Sequence, residues 1–227
     1  MRPAVVLLSG GLDSATCLAW AQREGFDAHA LTVNYGQRHV IEVDRASELA
    51  RRLGAASHRI VPVDLSFLAG SALTDRSIAV PKSRSDSDIG SDIPPTYVPA
   101  RNTVLLALAL AWAESIGGRD LVIGVNAVDY SGYPDCRPAF LRAFEALAGC
   151  ATKAGADGEG WRIHAPLLHL SKAEIVGRAV LWGVPYAATL SCYDPTPPGE
   201  PCRACDACRI RARGFREAGV RDEATDR

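Results

Sequence analysis

The sequence predicts a parallel, doubly wound α/β sheet with a small four-cysteine segment near its C-terminal end. Three observations carry this. Short apolar runs at 4–8, 28–33 and 60–63 are separated by helical patterns, and the order βαβαβ requires a parallel sheet. A later apolar run at 121–125 follows a strongly apolar helical stretch at 103–117, which continues the alternation. Cys192, Cys202, Cys205 and Cys208 then crowd into a proline-rich stretch with no apolar stripe to order it.

Composition narrows the functional classes. The 227 residues are 48% hydrophobic and 22% charged, with a formal net charge of -1. That length suits one domain of residues 1–190 with a metal-binding appendage at 191–227 packed on it. The balanced charge argues against a dedicated nucleic-acid binder. The N-terminal apolar run breaks at Ser9, too early for a signal-peptide core, and no run approaches a membrane span, so a cytoplasmic protein is expected.

The first strand meets Ser9-Gly10-Gly11-Leu12-Asp13-Ser14 and then a helical pattern over 14–24. The first N–H groups of such a helix lack partners and, with the helix dipole, attract an anion. Gly10 and Gly11 permit turn dihedrals and close approach of a phosphate, and the Ser9 and Ser14 hydroxyls add donors. A Walker A loop would need a lysine after its second glycine, and none is present.

The second strand, 28–33, leads to Asn34-Tyr35-Gly36-Gln37-Arg38-His39 at the sheet edge where open α/β folds bind ligands. A helical stripe at 40–53 and the strand at 60–63 follow. Right-handed crossovers bring the Ser9 turn and the Tyr35 loop to one cleft. Residues 70–96, with Pro81, Gly90 and a polar run at 83–88, form an excursion readable as a mobile lid or as a solvated loop.

Arg101 stands near the N-terminus of the apolar helix, where a cation opposes the dipole unless an anion sits beside it. The strand at 121–125 empties into residues 126–137, dense in functional side chains. There Tyr130 and Tyr133 can stack on a flat heterocycle, Asp135 can accept from an amino edge, and Arg137 can hold a carboxylate by two bonds. Cys136 has no histidine nearby in sequence to activate it and reads as structural or pocket-lining. A helix at 138–152, a glycine-rich turn at 155–160 and the stretch 163–167 lead to Ser171-Lys172-Ala173-Glu174, a capping box. Lys172 in that first helical turn opposes the dipole unless something negative lies beside it; a triphosphate would serve, and simple solvent exposure is the other reading.

The four cysteines suit tetrahedral Zn2+ with every position filled by protein, hence a structural ion whose binding orders the segment. The arginines of the helix at 209–217 are interspersed with acids and read as a solvated face.

The hexapeptide at 9–14 resembles the PP-loop of the N-type ATP pyrophosphatases, adenine nucleotide alpha hydrolase-like folds that split ATP to AMP and pyrophosphate. Together with residues 34–39, Tyr97-Val-Pro-Ala-Arg101-Asn102, residues 129–138 and the cysteine quartet, the chain resembles one family: the 7-cyano-7-deazaguanine synthases of queuosine biosynthesis. Arg203 departs from the family's glycine after the zinc-binding Cys202. The resemblance implies an ATP-dependent ligase joining 7-carboxy-7-deazaguanine and ammonia into the 7-cyano product, and a homodimer. It implies that Leu8, Ser9, Gly10, Gly11, Leu12, Asp13, Ser14, Arg38, His39 and Asn102 contact ATP, with Asp13 acting directly or through Mg2+. Asp13, Arg101 and Lys172 are the expected catalytic residues, and Tyr130, Tyr133, Asp135 and Arg137 the expected substrate contacts. A tRNA-modifying PP-loop enzyme, a relative that stops at the amide or acylates a peptide amine, and a non-catalytic zinc-ribbon module remain as alternatives.

Overall fold

The computed structural model describes residues 1–36, 41–85, 89, 93–127, 132–197 and 199–225. Its five-stranded sheet has the order β3-β2-β1-β4-β5, with β1 Arg2–Leu7, β2 Phe26–Asn34, β3 Ser57–Pro62, β4 Asp120–Val122 and β5 Arg162–His164. All of its pairings are parallel. The chain winds from β1 outward to β3, then returns across the sheet to begin β4 beside β1. The crevice of a doubly wound fold lies at that reversal, outside the carboxyl ends of β1 and β4.

Helices α1 Leu12–Arg23, α2 Ile41–Arg52, α3 Arg101–Ser115, α4 Pro138–Ala151, α5 Lys153–Ala156, α6 Lys172–Leu181 and α7 Asp206–Glu217 cover both faces. Alternation along β1 divides the core. Ala4 and Val6 pack with Leu18, Leu49, Ile175 and Phe215 on one side, while Val5 and Leu7 pack with Leu106, Leu110 and Phe144 on the other. A strand buried on both faces reads as a continuous apolar run, and that is why β1 is visible in sequence. β3 begins earlier than its apolar run because it is the sheet edge, where His58 and Arg59 are tolerated.

α3 also starts earlier than its apolar stretch, at Arg101. No local side chain caps it; its N-cap, Ala100, adopts a left-handed φ of 53°. The capping acceptor comes from a distance, since Asn102 N–H donates to Asp135 Oδ2 at 2.9 Å.

Part of the excursion at 70–96 lies within the described residues, and it packs on the cysteine segment. Ala72 and Val80 are buried with Cys192, Cys205 and Cys208. Lys82 forms an antiparallel bridge to Cys205, Ser83 N–H donates to the Ala204 carbonyl at 2.8 Å, and Arg84 Nη1 donates to Asp206 Oδ2 at 3.0 Å.

Candidate active site

The PP-loop is built from its own hydroxyls before any ligand is considered. Ser9 N–H donates to Ser14 Oγ at 3.1 Å, and Ser14 Oγ donates to the Gly11 carbonyl at 3.0 Å, which closes the turn onto the first residues of α1. Gly10 has φ 88°, and a Cβ there would lie 2.6 Å from the Glu42 carbonyl oxygen. The glycine is therefore required by the close approach of α2 as well as by the turn.

Asp13, in the first turn of α1, is the hub. Lys172 Nζ donates to both of its carboxylate oxygens, at 2.8 and 2.6 Å, and Asn126 Nδ2 donates to Oδ2 at 2.8 Å. Three separated stretches converge here: the start of α1, the residues after β4, and the start of α6. The capping box at Ser171 fixes the last of these, with Glu174 N–H donating to Ser171 Oγ at 3.3 Å and Ser171 N–H to Glu174 Oε2 at 2.8 Å. The anion beside Lys172 is thus a carboxylate of the chain itself, which the sequence alone does not reveal. Behind Lys172, α7 passes at Gly214, where a Cβ would lie 2.3 Å from Lys172 Cγ.

A cavity of about 280 Å³ opens over this hub. Leu8, Ser9, Gly11, Leu12, Asp13, Ser14, Arg101, Asn102, Tyr133 and Lys172 all line it. Arg101 Nη1 donates to the Tyr35 hydroxyl at 3.5 Å, and its guanidinium lies 6.0 Å from that ring's centre. Tyr133 contacts the Thr96 hydroxyl at 3.0 Å. Burial pushes the Tyr35 phenol above its ordinary value, against the pull of Arg101.

Other expected residues stand elsewhere. Asp135 is buried and bonded to the backbone of α3, and its carbonyl accepts from Asn102 Nδ2 at 3.0 Å. Arg137 is exposed at the N-cap of α4. Neither is among the described residues lining the cavity. Arg38, His39 and Tyr130 lie outside the described residues. Cys136 lines the cavity and accepts from Asn102 Nδ2 at 3.2 Å. Sequence reasoning left Asn126 and Glu42 without roles. Asn126 had a signal, since it follows the apolar run of β4 at the carboxyl edge; Glu42 reads as one acid among several on an amphipathic helix.

The cysteine quartet is assembled. The Sγ atoms of Cys192, Cys202, Cys205 and Cys208 all lie within 4.8 Å of one another, and none is in a disulfide. Sulfurs about 2.3 Å from a tetrahedral ion sit about 3.8 Å apart; Cys192 Sγ and Cys205 Sγ are separated by 4.0 Å. Backbone N–H groups of Cys202 and Cys205 donate to Cys192 Sγ at 3.2 Å and Cys202 Sγ at 3.3 Å. The cluster can hold a metal ion, and its donors match a soft thiolate site. Arg203, between two of the ligands, sits at φ 60°, a left-handed backbone that glycine adopts without strain.

The family described as queuosine biosynthesis protein QueC matches residues 3–219. The 7-cyano-7-deazaguanine synthase of Anaeromyxobacter sp. (strain Fw109-5) is 67% identical over 221 residues, 97% of this chain and 94% of that one. That of Thiobacillus denitrificans (strain ATCC 25259 / T1) is 60% identical over 223 residues, 98% and 97% of the two chains. Among solved structures, NMN synthetase from Francisella tularensis is similar with a TM-score of 0.52 at 18% identity, covering 97% of this chain and 78% of that chain. A 4-thiouridine synthetase in complex with RNA and bound ATP has a TM-score of 0.50 at 19% identity, covering 96% and 50%. These two share the fold. Among the described residues no helix is long and apolar enough to cross a membrane. The match over nearly the whole length leads to one conclusion: this chain belongs to the QueC family of queuosine biosynthesis proteins, whose relatives cited here are 7-cyano-7-deazaguanine synthases.

Proposed function

We propose that the chain activates the carboxylate of 7-carboxy-7-deazaguanine with ATP, lets ammonia displace AMP to give the amide, and activates the amide oxygen with a second ATP so that elimination yields the nitrile. The observation that carries this reading is the convergence of the PP-loop, Asp13, Lys172 and Asn126 at the crevice between β1 and β4. A carboxylate resists an amine because its oxygen leaves poorly, and attaching AMP supplies the leaving group. The work left to the protein is positioning and charge stabilisation.

In this reading Ser9, Gly11 and Ser14 cradle the pyrophosphate as it departs from the Mg2+ complex of ATP. Lys172, held by the Asp13 carboxylate that Asn126 also bonds, has a third donor to offer a phosphate oxygen, and Arg101 neutralises charge from the opposite wall. Tyr133 stacks on the deazapurine. The quartet Cys192, Cys202, Cys205 and Cys208 binds one Zn2+, and with no open position that ion orders residues 191–227 against the domain at 1–190. The protein acts in the cytoplasm as a homodimer and makes no direct use of nucleic acid.

The test is product analysis. Purified protein supplied with ATP, Mg2+, ammonium and 7-carboxy-7-deazaguanine is expected to release AMP, pyrophosphate and, by mass spectrometry, the 7-cyano product. A final product at the mass of the amide, or ADP in place of AMP, contradicts the reading.

A further inference from the structure

Glu42 is a carboxylate on the cavity wall with no task in the scheme above. It belongs to the first turn of α2 and lines the cavity together with Ser9, Asp13, Tyr35 and Arg101. Its position is set by packing: the Glu42 carbonyl lies where it excludes any Cβ on Gly10, so the same contact that shapes the PP-loop holds this residue beside it. Among the described residues its carboxylate accepts no hydrogen bond. A carboxylate kept half-buried and unbonded at the edge of a reactive cavity is costly for stability alone.

We propose that Glu42 is the base that removes the proton released when ammonia attacks the adenylated carboxylate. The proposal rests on the ligase reading above. As the nitrogen adds to the acyl carbon a C–N bond forms and the nitrogen becomes positively charged. Glu42 takes one N–H proton, and the C–O bond to AMP then breaks, with its electron pair leaving on AMP. The neutral amide results, and the proton passes from Glu42 to water before the next turnover.

The surroundings suit the task. Burial pushes the Glu42 carboxyl up to about 7, against the pull of the Arg101 guanidinium. At neutral pH the group is then ionised in a large fraction of molecules and is a stronger base than a solvated carboxylate, the match that efficient proton transfer favours. The charged and titrating groups around it are Arg101 of α3, the Tyr35 phenol after β2, Tyr133 and Tyr193 beyond Arg101, and the Asp13–Lys172 pair across the cavity. His39, the imidazole nearest in sequence, is separated by its own variant.

The experiment uses the full chain with its metal and divides the reaction in two. Pyrophosphate exchange into ATP, driven by 7-carboxy-7-deazaguanine without ammonia, reports activation. Single-turnover amide formation with ammonium, expressed per free NH3, reports the attack. Glu42→Gln is expected to slow amide formation a hundredfold or more while exchange changes less than threefold. The wild-type rate should fall as pH drops through about 7, a limb that Glu42→Gln removes and that His39→Gln and Glu42→Asp keep. Equal loss of exchange and amide formation would overturn the proposal, because Glu42 would then be gripping the deazaguanine or ATP. So would persistence of the limb in Glu42→Gln. Absence of exchange in the wild type refutes the ligase reading itself, a distinct result.

Discussion

Alanine at Gly214 tests whether the C-terminal helix sets the reach of Lys172. The new Cβ would lie 2.3 Å from Lys172 Cγ, 2.9 Å from its Cβ and 3.1 Å from its carbonyl carbon. Only the first of these atoms can swing away; the other two belong to the anchored part of α6. Relief therefore requires α6 and α7 to part by roughly 1 Å, a displacement of the size that overpacking at about 1–3 kcal/mol produces. The helix-propensity gain of Gly→Ala, about 1 kcal/mol, offsets part of that. Stability should consequently fall by about 0–2 kcal/mol, with the larger effect on the Lys172–Asp13 contacts at 2.6 and 2.8 Å. Charge-assisted bonds of this kind contribute about 1.5–3 kcal/mol, so their loss predicts a roughly tenfold to hundredfold drop in pyrophosphate exchange. The assay is exchange in the four members of a cycle with Lys172→Ala. Gly214→Ala should cost activity when Lys172 is present and almost nothing further when it is absent. Equal losses in both backgrounds would refute this line of reasoning, as would wild-type exchange and melting temperature in the single variant.

Further perturbations test the rest of the structure. Arg203→Gly removes a left-handed side chain at φ 60° and should stabilise the metal-loaded protein by about 0.5–1 kcal/mol in denaturant unfolding; a lower midpoint would argue against strain there. Chelation of the metal should expose the backbone of 192–208 and, through Ser83 N–H on the Ala204 carbonyl at 2.8 Å, that of residues 80–85 to hydrogen exchange; protection unchanged in both stretches would mean that the ion does not order them. Arg211→Ala leaves Asp222 buried without the partner that holds it at 2.7 and 2.9 Å, and should cost about 3–5 kcal/mol by thermal or denaturant unfolding; a loss under 1 kcal/mol would assign the pair little weight.

Much of the fold is legible in sequence because its signals are local. β1 shows as an apolar run since both faces of the central strand are covered, and α6 shows through its Ser171–Glu174 box. Boundaries fail where the deciding contact is remote. α3 begins at Arg101 because Asp135 caps it from a distant loop, a bond that no local pattern announces. The same applies to the candidate site. The PP-loop and the cysteine quartet are contiguous and carry their chemistry in spacing. The Lys172–Asp13–Asn126 hub joins three separated stretches, and the tightness of α7 against Lys172 depends on a glycine with no turn to announce it. Glu42 acquires significance only when the sheet brings α2 against the first turn.

The central claim, cleavage of ATP between its α and β phosphates at the PP-loop, is tested most directly by isotope exchange. Labelled pyrophosphate should enter ATP when 7-carboxy-7-deazaguanine and Mg2+ are present and ammonia is withheld, and Asp13→Ala should abolish that exchange. Label that stays in pyrophosphate while the protein turns ATP over to ADP would contradict the account.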